Sequence, residues 1–421
     1  MLLPAGLSCL RAKRPVEAVA LTSRKGASIL GIQPRIGYVS TYPPRECGIA
    51  TFTRDLARAV LMRGHVDSNI MVAIEDDANR NNCTSRTIDQ HNRRSYISAA
   101  NFLNESDIDV VSVQHEFGIF GGEWGEYVLG LCRNIEAPLV TTFHTVLRNP
   151  PEKARRVVSE ICQMSSAVVV TIESAARILE KHFGVEADKI VVIHHGAALP
   201  DRVRKGYAKR LLGLRKRTVL ATFGLMSAGK GVEFAIKSLP YLVKERPDLL
   251  YLVIGETHPE VRKREGEAYR DSLISLAKRL GVDRNVRFVN RYLREDELSL
   301  YIQAVDIYLA PYLGKDQVSS GTLTLALGYG KAVVSTPTIF AKEILRENRG
   351  LFCKFANGRS IAECVERILD DSRLRKELET KALKYGQEVG WARVADQYGD
   401  LFRSAMRVRG TITETATVSE A

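Results

Sequence analysis

The chain has 421 residues, 45% of them hydrophobic and 26% charged, with a formal charge of +12. That length accommodates two domains of ordinary composition, and no apolar run reaches the roughly twenty residues a membrane-spanning helix needs. Seven cysteines (Cys9, Cys47, Cys83, Cys132, Cys162, Cys353 and Cys364) are odd in number and lack a Cys-x-x-Cys pair, so neither a disulfide framework nor a zinc site is implied and a reducing cytoplasm fits.

Residues 1–30 mix Leu, Ala, Arg and Lys with one acid, Glu17. With neither a secretory apolar core nor a clear cleavage site, they are expected to form a disordered leader. From there on, short apolar runs at 36–40, 110–114, 139–144, 168–172 and 190–194, then at 219–224, 250–255, 286–289, 307–311 and 332–336, alternate with helical segments. Strands that are apolar throughout are buried on both faces, and helices between them supply the crossovers of parallel sheets. The expected fold class is therefore α/β, with two Rossmann-like doubly wound parallel-sheet domains facing across a cleft, at 31–200 and 201–385.

In chain order, the first candidate site is the loop after the first run. Pro43 and Pro44 stiffen it, Gly48 permits close backbone approach, and Thr51 or Thr53 is placed to cap a helix whose N-terminus faces the cleft. Three later runs of the first half deliver histidine to their carboxyl ends: His115 with Glu116, then His144, then His194 and His195. No paired carboxylate accompanies them at ligand spacing, so no metal site is expected. His144 suits a hydrogen bond to a polar substrate, and His195 suits backbone groups at the domain junction.

Eight cations fall between Arg202 and Arg217, where Pro200 and Gly206 also interrupt the alternation and mark the domain boundary. No aromatics alternate with them as a nucleic-acid stacking platform requires, so no nucleic acid is expected. A solvated linker face is the first reading, and contact with an anionic membrane surface is the second.

The most informative stretch follows. Phe223-Gly224-Leu225-Met226-Ser227-Ala228-Gly229-Lys230-Gly231 runs from an apolar strand into a glycine-flanked lysine. Such a turn gathers backbone N–H groups and a cation, which suits a di- or triphosphate. Gly224 to Lys230 fits the pattern Gly, four residues, Gly-Lys, but Gly231 stands where an ATPase holds magnesium with Ser or Thr, which argues against a P-loop kinase or ATPase. Two further loops end strands at the cleft rim, Gly255-Glu256 and Arg291-Tyr292. After Pro311 comes Gln317-Val318-Ser319-Ser320-Gly321-Thr322, small hydroxyl residues and glycine at a helix start, where uncovered N–H groups await a phosphate or a sugar and ordinary N-capping is the alternative. Last, residues 391–406 place Trp391, Val394, Ala395, Tyr398 and Phe402 on one helical stripe, and the Thr- and Glu-rich residues 411–421 are expected to be a disordered tail.

This order of motifs resembles the retaining glycosyltransferases of family 4, over about residues 35–407: the Gly48 loop, His144, His195-Gly196, Gly224 with Lys230-Gly231, the Gly255 loop, Gln317 to Gly330, Glu343-Ile344-Leu345 and the Trp391 helix. The resemblance implies a GT-B fold in which 31–200 is the acceptor side, 201–385 binds the nucleotide sugar, and a helix at 386–410 packs back on the first domain. It implies a nucleoside-diphosphate sugar donor, a glycan, lipid-linked sugar or small glycoside as acceptor, and no cofactor or tightly held metal. Lys230, His144 and Gln317 would be catalytic. Gly48, Gly224, Gly231, Gly255, Glu256, Tyr292, Ser319, Ser320, Gly321 and Thr322 would bind the donor. The location implied is cytoplasmic, with the inner face of the membrane as a peripheral site.

Two positions depart from that family's pattern. Leu225 stands where an arginine usually helps the lysine, and Gln317 and Leu325 stand where two glutamates eight positions apart grip the donor sugar and ribose. An active branch in which Ser319, Ser320 and Thr322 substitute, a non-catalytic nucleotide- or glycan-binding relative, and a sugar-nucleotide epimerase are the readings left open.

Overall fold

Two all-parallel sheets organise the chain. The computed structural model describes residues 33–76, 84–200 and 204–418, with side chains to residue 407. The first sheet holds β1 (Arg35–Ser40), β2 (Ser68–Glu75), β3 (Arg86–Asp89), β4 (Val110–His115), β5 (Leu139–Phe143), β6 (Ala167–Val170) and β7 (Ile190–Val192). Their order is β3-β2-β1-β4-β5-β6-β7. The second sheet holds β8 (Thr218–Phe223), β9 (Leu249–Ile254), β10 (Val286–Val289), β11 (Ile307–Ala310), β12 (Ala332–Ser335) and β13 (Leu351–Phe352), in the order β10-β9-β8-β11-β12-β13.

In each sheet the order reverses direction beside the first strand, between β1 and β4 and between β8 and β11. Such a switch point opens a crevice at the carboxyl ends of the strands. The expected fold class is thereby met, with β2, β3 and β13 additional to the ten apolar runs. The two edge strands lack the continuous apolar signal, since β3 buries only Ile88 and β13 has two residues.

Central strands are apolar because both faces are covered. Every residue of β9 is buried, and its one hydroxyl is satisfied in a relay, Tyr251 Oη donating to Thr222 Oγ1 at 2.7 Å and Thr222 Oγ1 to the Leu309 carbonyl at 2.7 Å. On the outer face, the helix Gly358–Asp370 is started by Asn357, whose side chain accepts from Ser360 N at 2.8 Å. Its stripe of Ile361, Ala362, Val365 and Ile368 enters one core with Val232, Ile236 and Leu239.

The helix Trp391–Val418 returns to the first sheet. Val394, Ala395, Tyr398, Phe402 and Ala405 share a core with Ile36, Tyr38, Phe52, Leu56 and Val60. Tyr398 Oη bonds Thr142 Oγ1 at 2.9 Å, and Asp396 pairs with Arg63 at 2.9 Å. At Gly399 a Cβ would stand 2.5 Å from His65 Cγ, so only glycine lets the helix lie this close. The helical backbone runs past the expected end at residue 410, through Val418. The leader at 1–30 and residues 419–421 lie outside the described residues.

Part of the basic cluster is turned inward rather than solvated. Asp306, 4% exposed, accepts from Val219 N at 2.8 Å and pairs with Lys205, Lys209 and Arg375. Burial opposes its ionisation, but Lys205 and Lys209 hold the carboxyl well below the usual range. No helix among the described residues is long and apolar enough to cross a membrane.

Candidate active site in the interdomain cleft

β8 ends on Gly224, whose φ of +114° suits no L side chain. A Cβ there would stand 2.9 Å from Thr322 Cγ2 and 3.6 Å from Lys230 Nζ. The strand end, the glycine-flanked turn and the start of the helix Gly321–Gly328 therefore meet at one point, as the sequence motifs require. Gly231 and Gly255 serve the same construction from behind, because a Cβ would fall 2.0 Å from the Pro311 carbonyl oxygen at the first and 2.1 Å from the Gly224 carbonyl oxygen at the second.

Lys230 has no ion-pair partner among the described residues, and its ammonium lies over the Tyr312 ring at 4.9 Å. A cation held by a ring face keeps its charge available to a ligand. Tyr312 is itself buried, with its hydroxyl 2.7 Å from Thr322 Oγ1, 3.0 Å from Tyr308 Oη and 3.2 Å from Ser320 Oγ. No motif marks Tyr312 in the sequence, yet it ties the lysine turn to the helix start.

Ser320 accepts from Leu323 N at 3.3 Å and is the N-cap of the helix Gly321–Gly328. The N–H groups of Gly321 and Thr322 belong to the first turn, which has no intrahelical acceptors. Gln317 donates its Nε2 to the Ser319 carbonyl at 2.7 Å, which fixes the amide and leaves Oε1 as an acceptor. Leu325, half-buried, packs against the core.

From the first domain, the helix Gly48–Met62 starts after Cys47, which gives no side-chain cap. The expectation that Thr51 or Thr53 caps it is corrected: both lie inside the helix, Thr51 Oγ1 donating to the Cys47 carbonyl at 3.4 Å and Thr53 Oγ1 to Ser40 Oγ at 2.8 Å. Gly48 is exposed with nothing within 4 Å of a notional Cβ, so its face is open.

His144 and His195 flank Phe52, with ring centroids 4.7 Å and 4.9 Å away. Burial lowers the first to about 3 and the second to about 4, so both are neutral at physiological pH. His144 Nε2 bonds Gln114 Oε1 at 3.0 Å, which makes Nε2 the donor and leaves Nδ1 as an acceptor. His195 reaches across the domain junction, since a Cβ on Gly321 would stand 3.0 Å from its Nε2. His115 faces away, into Phe117, Phe120 and Phe143, with neither ring nitrogen partnered among the described residues.

The two walls touch along both sides of the cleft. On the β1 side, Thr51 Oγ1 lies 3.2 Å from Tyr292 Oη, Lys263 pairs with Asp76 at 2.9 Å, and Arg54 pairs with Glu295. Glu46 meets Glu256 there, and that contact, with burial, pushes the Glu46 carboxyl up to about 7. Burial opposes the charge on Glu256, but the hydrogen bond with Glu46 and then Arg262 at 3.0 Å hold its carboxyl below the usual range. On the β6 side, Thr171 Oγ1 donates to the Val318 carbonyl at 3.3 Å. Glu343 of the second domain accepts from Glu173 N at 2.7 Å and Ser174 N at 3.0 Å, capping the helix Glu173–Phe183 of the first. Glu46 lies between Pro44 and Gly48 in the first loop and Glu343 opens Glu343-Ile344-Leu345, but only the fold reveals their partners. No group of three or more His, Cys, Asp or Glu side chains suited to a metal ion occurs among the described residues.

Comparison with known proteins agrees with this architecture. The model of Glycosyltransferase Family 4 matches residues 47–199, and that of Glycosyl transferases group 1 matches residues 209–385. A D-inositol 3-phosphate glycosyltransferase of Corynebacterium aurimucosum is 26% identical over 331 residues, 72% of this chain and 73% of its own. One of Streptomyces bingchenggensis is 26% identical over 64% of this chain and 62% of its own length, so the match spans less than two thirds of that relative. Among solved structures, sucrose-phosphate synthase from Thermosynechococcus elongatus has a TM-score of 0.73 at 17% identity, covering 89% of this chain and 100% of its own. Anabaena HepE in complex with UDP and glucose gives 0.69 at 14% identity, over 88% and 100%. At such identities the structural likeness speaks for the fold, while the two family models cover one sheet domain each. The chain belongs to the group 1 glycosyltransferases, with the GT-B architecture.

Proposed function

We propose that the protein transfers a hexosyl group from a nucleoside-diphosphate sugar to an acceptor hydroxyl with retention at the anomeric carbon. The observation that carries this reading is the convergence at one point of Gly224, Thr322 and the Lys230 ammonium, which forms no ion pair among the described residues. A departing diphosphate develops negative charge, and a preorganised cation with first-turn N–H dipoles stabilises it without reorganisation. That HepE is solved with UDP and with UDP-glucose supports a nucleotide sugar as donor.

In the reaction the bond from the anomeric carbon to the phosphate oxygen breaks, its electron pair leaving with the diphosphate. The acceptor oxygen bonds the same carbon on the same face, and its proton passes to a phosphate oxygen. Lys230 and the N–H groups of Gly321 and Thr322 hold the leaving group. His144 Nδ1 and Gln317 Oε1 accept from sugar hydroxyls, and the loops at Gly255-Glu256 and Tyr292 border the base. No step is assigned to a metal. The exposed remainder of the basic cluster, Arg204, Arg210, Arg215 and Lys216 beside exposed Tyr207 and Leu211, suits the cytoplasmic face of an anionic membrane when the acceptor is lipid-linked.

The experiment is turnover of UDP-, GDP- and ADP-hexoses with the product's anomeric configuration read by NMR. Retention supports the proposal, and inversion contradicts it. The second reading, a non-catalytic nucleotide-binding relative, is favoured by Leu325 at a position that offers no polar group to ribose. It is distinguished by nucleotide binding without turnover.

A further inference from the structure

The loop after β9 is bonded directly to the lysine turn. Met226 N donates to the Glu256 carbonyl at 2.8 Å and His258 N to the Met226 carbonyl at 2.9 Å, so the ends of β8 and β9 continue as a short ladder. Behind that ladder the loop is braced. Arg270, 4% exposed, donates Nη2 to the Gly255 carbonyl at 3.0 Å. Glu267 accepts from Thr257 Oγ1 at 2.5 Å and from Arg270 Nε and Arg262 Nε at 3.1 Å each. The loop is therefore fixed relative to Lys230, whose own N–H closes the turn on the Ser227 carbonyl at 3.0 Å.

Half-buried His258 is the side chain this construction holds in place. Its Nδ1 accepts from Glu260 N at 3.2 Å, which sets the neutral tautomer and puts the ring proton on Nε2. No acceptor among the described residues takes that proton. The ring lies within electrostatic reach of the Lys230 ammonium on the turn and of Arg45 on the first-domain wall. Glu260 and Arg264, on its own helix Pro259–Glu265, are the other charged groups that face it. The Arg45 guanidinium is steadied by Gln90 Oε1 at 2.9 Å and the Ile74 carbonyl at 3.3 Å. Burial first, and then Lys230, Arg264 and Arg45 against the opposing pull of Glu260, lower the imidazole below its ordinary 6.5. Like-charged groups gathered in a cleft in this way are the environment of an anion site.

Lys230 is the one cation between Phe223 and Gly231, and Leu225 adds no charge to the turn. A departing diphosphate carries more than one negative charge, so a single ammonium leaves part of it to be met from elsewhere. We infer that His258 is a second diphosphate ligand, donating its Nε2 proton to a phosphate oxygen beside Lys230. A neutral imidazole N–H fixed by its Nδ1 bond acts on an oxyanion as the N–H groups of Gly321 and Thr322 do, without reorganisation when the charge develops. The inference rests on the donor assignment above and adds to it a residue of the Gly255 loop that works on the leaving group.

The test titrates UDP, GDP and ADP, in EDTA, into wild type, His258→Asn, His258→Gln and Lys230→Ala, and records phosphorus-31 spectra of the bound nucleotide. Asparagine keeps an acceptor for Glu260 N and removes the distant donor, whereas glutamine offers an N–H near the Nε2 position. The expected result is a nucleoside diphosphate that binds His258→Asn about tenfold more weakly than wild type, the scale of one hydrogen bond to a charged group. His258→Gln recovers part of that loss, the melting temperatures stay as in wild type, and the phosphorus resonances move between wild type and His258→Asn. Equal affinity in wild type and His258→Asn overturns the inference, and so does a weakening with unmoved phosphorus resonances, which would put the ring on base or ribose. Weaker binding in both histidine variants with lowered melting temperatures overturns it as well, as a loss of structure. If Lys230→Ala alone binds more weakly, the donor assignment stands without His258. Absence of binding by any of the three nucleotides to wild type overturns the donor assignment and takes this inference with it.

Discussion

The Lys230 ammonium rests 4.9 Å above the ring of Tyr312, whose hydroxyl lies 2.7 Å from Thr322 Oγ1, so one tyrosine couples the phosphate-directed cation to the helix start it works with. Charge and dipole are thereby fixed relative to each other before any ligand arrives, and preorganisation of that kind is what stabilises a leaving group.

Lys230→Ala is expected to lower kcat by on the order of 100-fold, the scale of removing one preorganised oxyanion donor. Lys230 forms no ion pair among the described residues, so the melting temperature should move little. Steady-state kinetics with circular dichroism on the same sample checks both halves, and near-normal transfer would remove the lysine from the leaving-group role.

Tyr312→Phe should cost stability as well as activity. It deletes a buried hydroxyl shared by Tyr308, Ser320 and Thr322, leaving buried polar groups short of a partner at about 1–3 kcal/mol. Urea unfolding with an unchanged m-value is the measurement. A loss of activity without any loss of stability would mean that the hydroxyl touches substrate instead.

Restoring glutamate at Gln317 replaces the amide that donates to the Ser319 carbonyl at 2.7 Å by a carboxylate, and so alters the acceptor atoms offered to the donor sugar, while the bond from Phe340 N to the residue-317 carbonyl at 2.9 Å is kept. The expected outcome is a change in relative kcat/KM across gluco-, galacto- and manno-configured donors, read by competition between them. Equal selectivity in both proteins would move Gln317 off the sugar.

The Glu46–Glu256 contact makes the clasp between the domains weaken as the pH rises. The Glu46 carboxyl is raised from its ordinary 4.5 to about 7, first by its hydrogen bond with Glu256 and then by burial. The folded protein thus binds more protons than the unfolded chain between about 4.5 and 7, so this pair's contribution to stability falls as pH rises through that window. Melting temperatures of wild type and Glu46→Gln measured from pH 4.5 to 8 should diverge with pH, the variant gaining relative to wild type as the pH rises. Parallel curves would show that the pair shares no proton.

His115→Leu is expected to stabilise the protein by about 1–3 kcal/mol, because the imidazole is buried with both nitrogens unpartnered among the described residues and burial alone lowers it to about 3. Chemical denaturation decides it. A destabilised variant would mean that the rings of Phe117, Phe120 and Phe143 hold the imidazole by more than apolar packing.

The local part of the site was legible in the sequence because the chemistry and the chain direction coincide there. Gly224, Lys230 and the residues from Gln317 to Thr322 each follow a strand and start a turn or helix, so a switch-point sheet brings them to one edge. What depends on distant pairing was not legible. Nothing beside Tyr312 announces its place under Lys230, nothing near Glu343 announces that it caps a helix 170 residues earlier, and Glu46 gives no sign of meeting Glu256. The threonines of the Gly48 loop misled, because Thr51 and Thr53 have cap chemistry but sit one turn too late, their hydroxyls spent on Cys47 and Ser40. The basic run between Arg202 and Arg217 reads as a solvated face throughout, yet Lys205 and Lys209 are drawn inward by Asp306, a residue about a hundred positions away.

The most direct measurement is calorimetric titration of UDP, GDP and ADP into wild type and Lys230→Ala, in EDTA. The account predicts that one nucleoside diphosphate binds wild type without a divalent cation and binds the variant at least about tenfold more weakly, as loss of a charge-assisted contact requires. Equal affinity in the two proteins, or no binding of any of the three to wild type, would contradict the claim that the Gly224–Lys230 turn is the phosphate site.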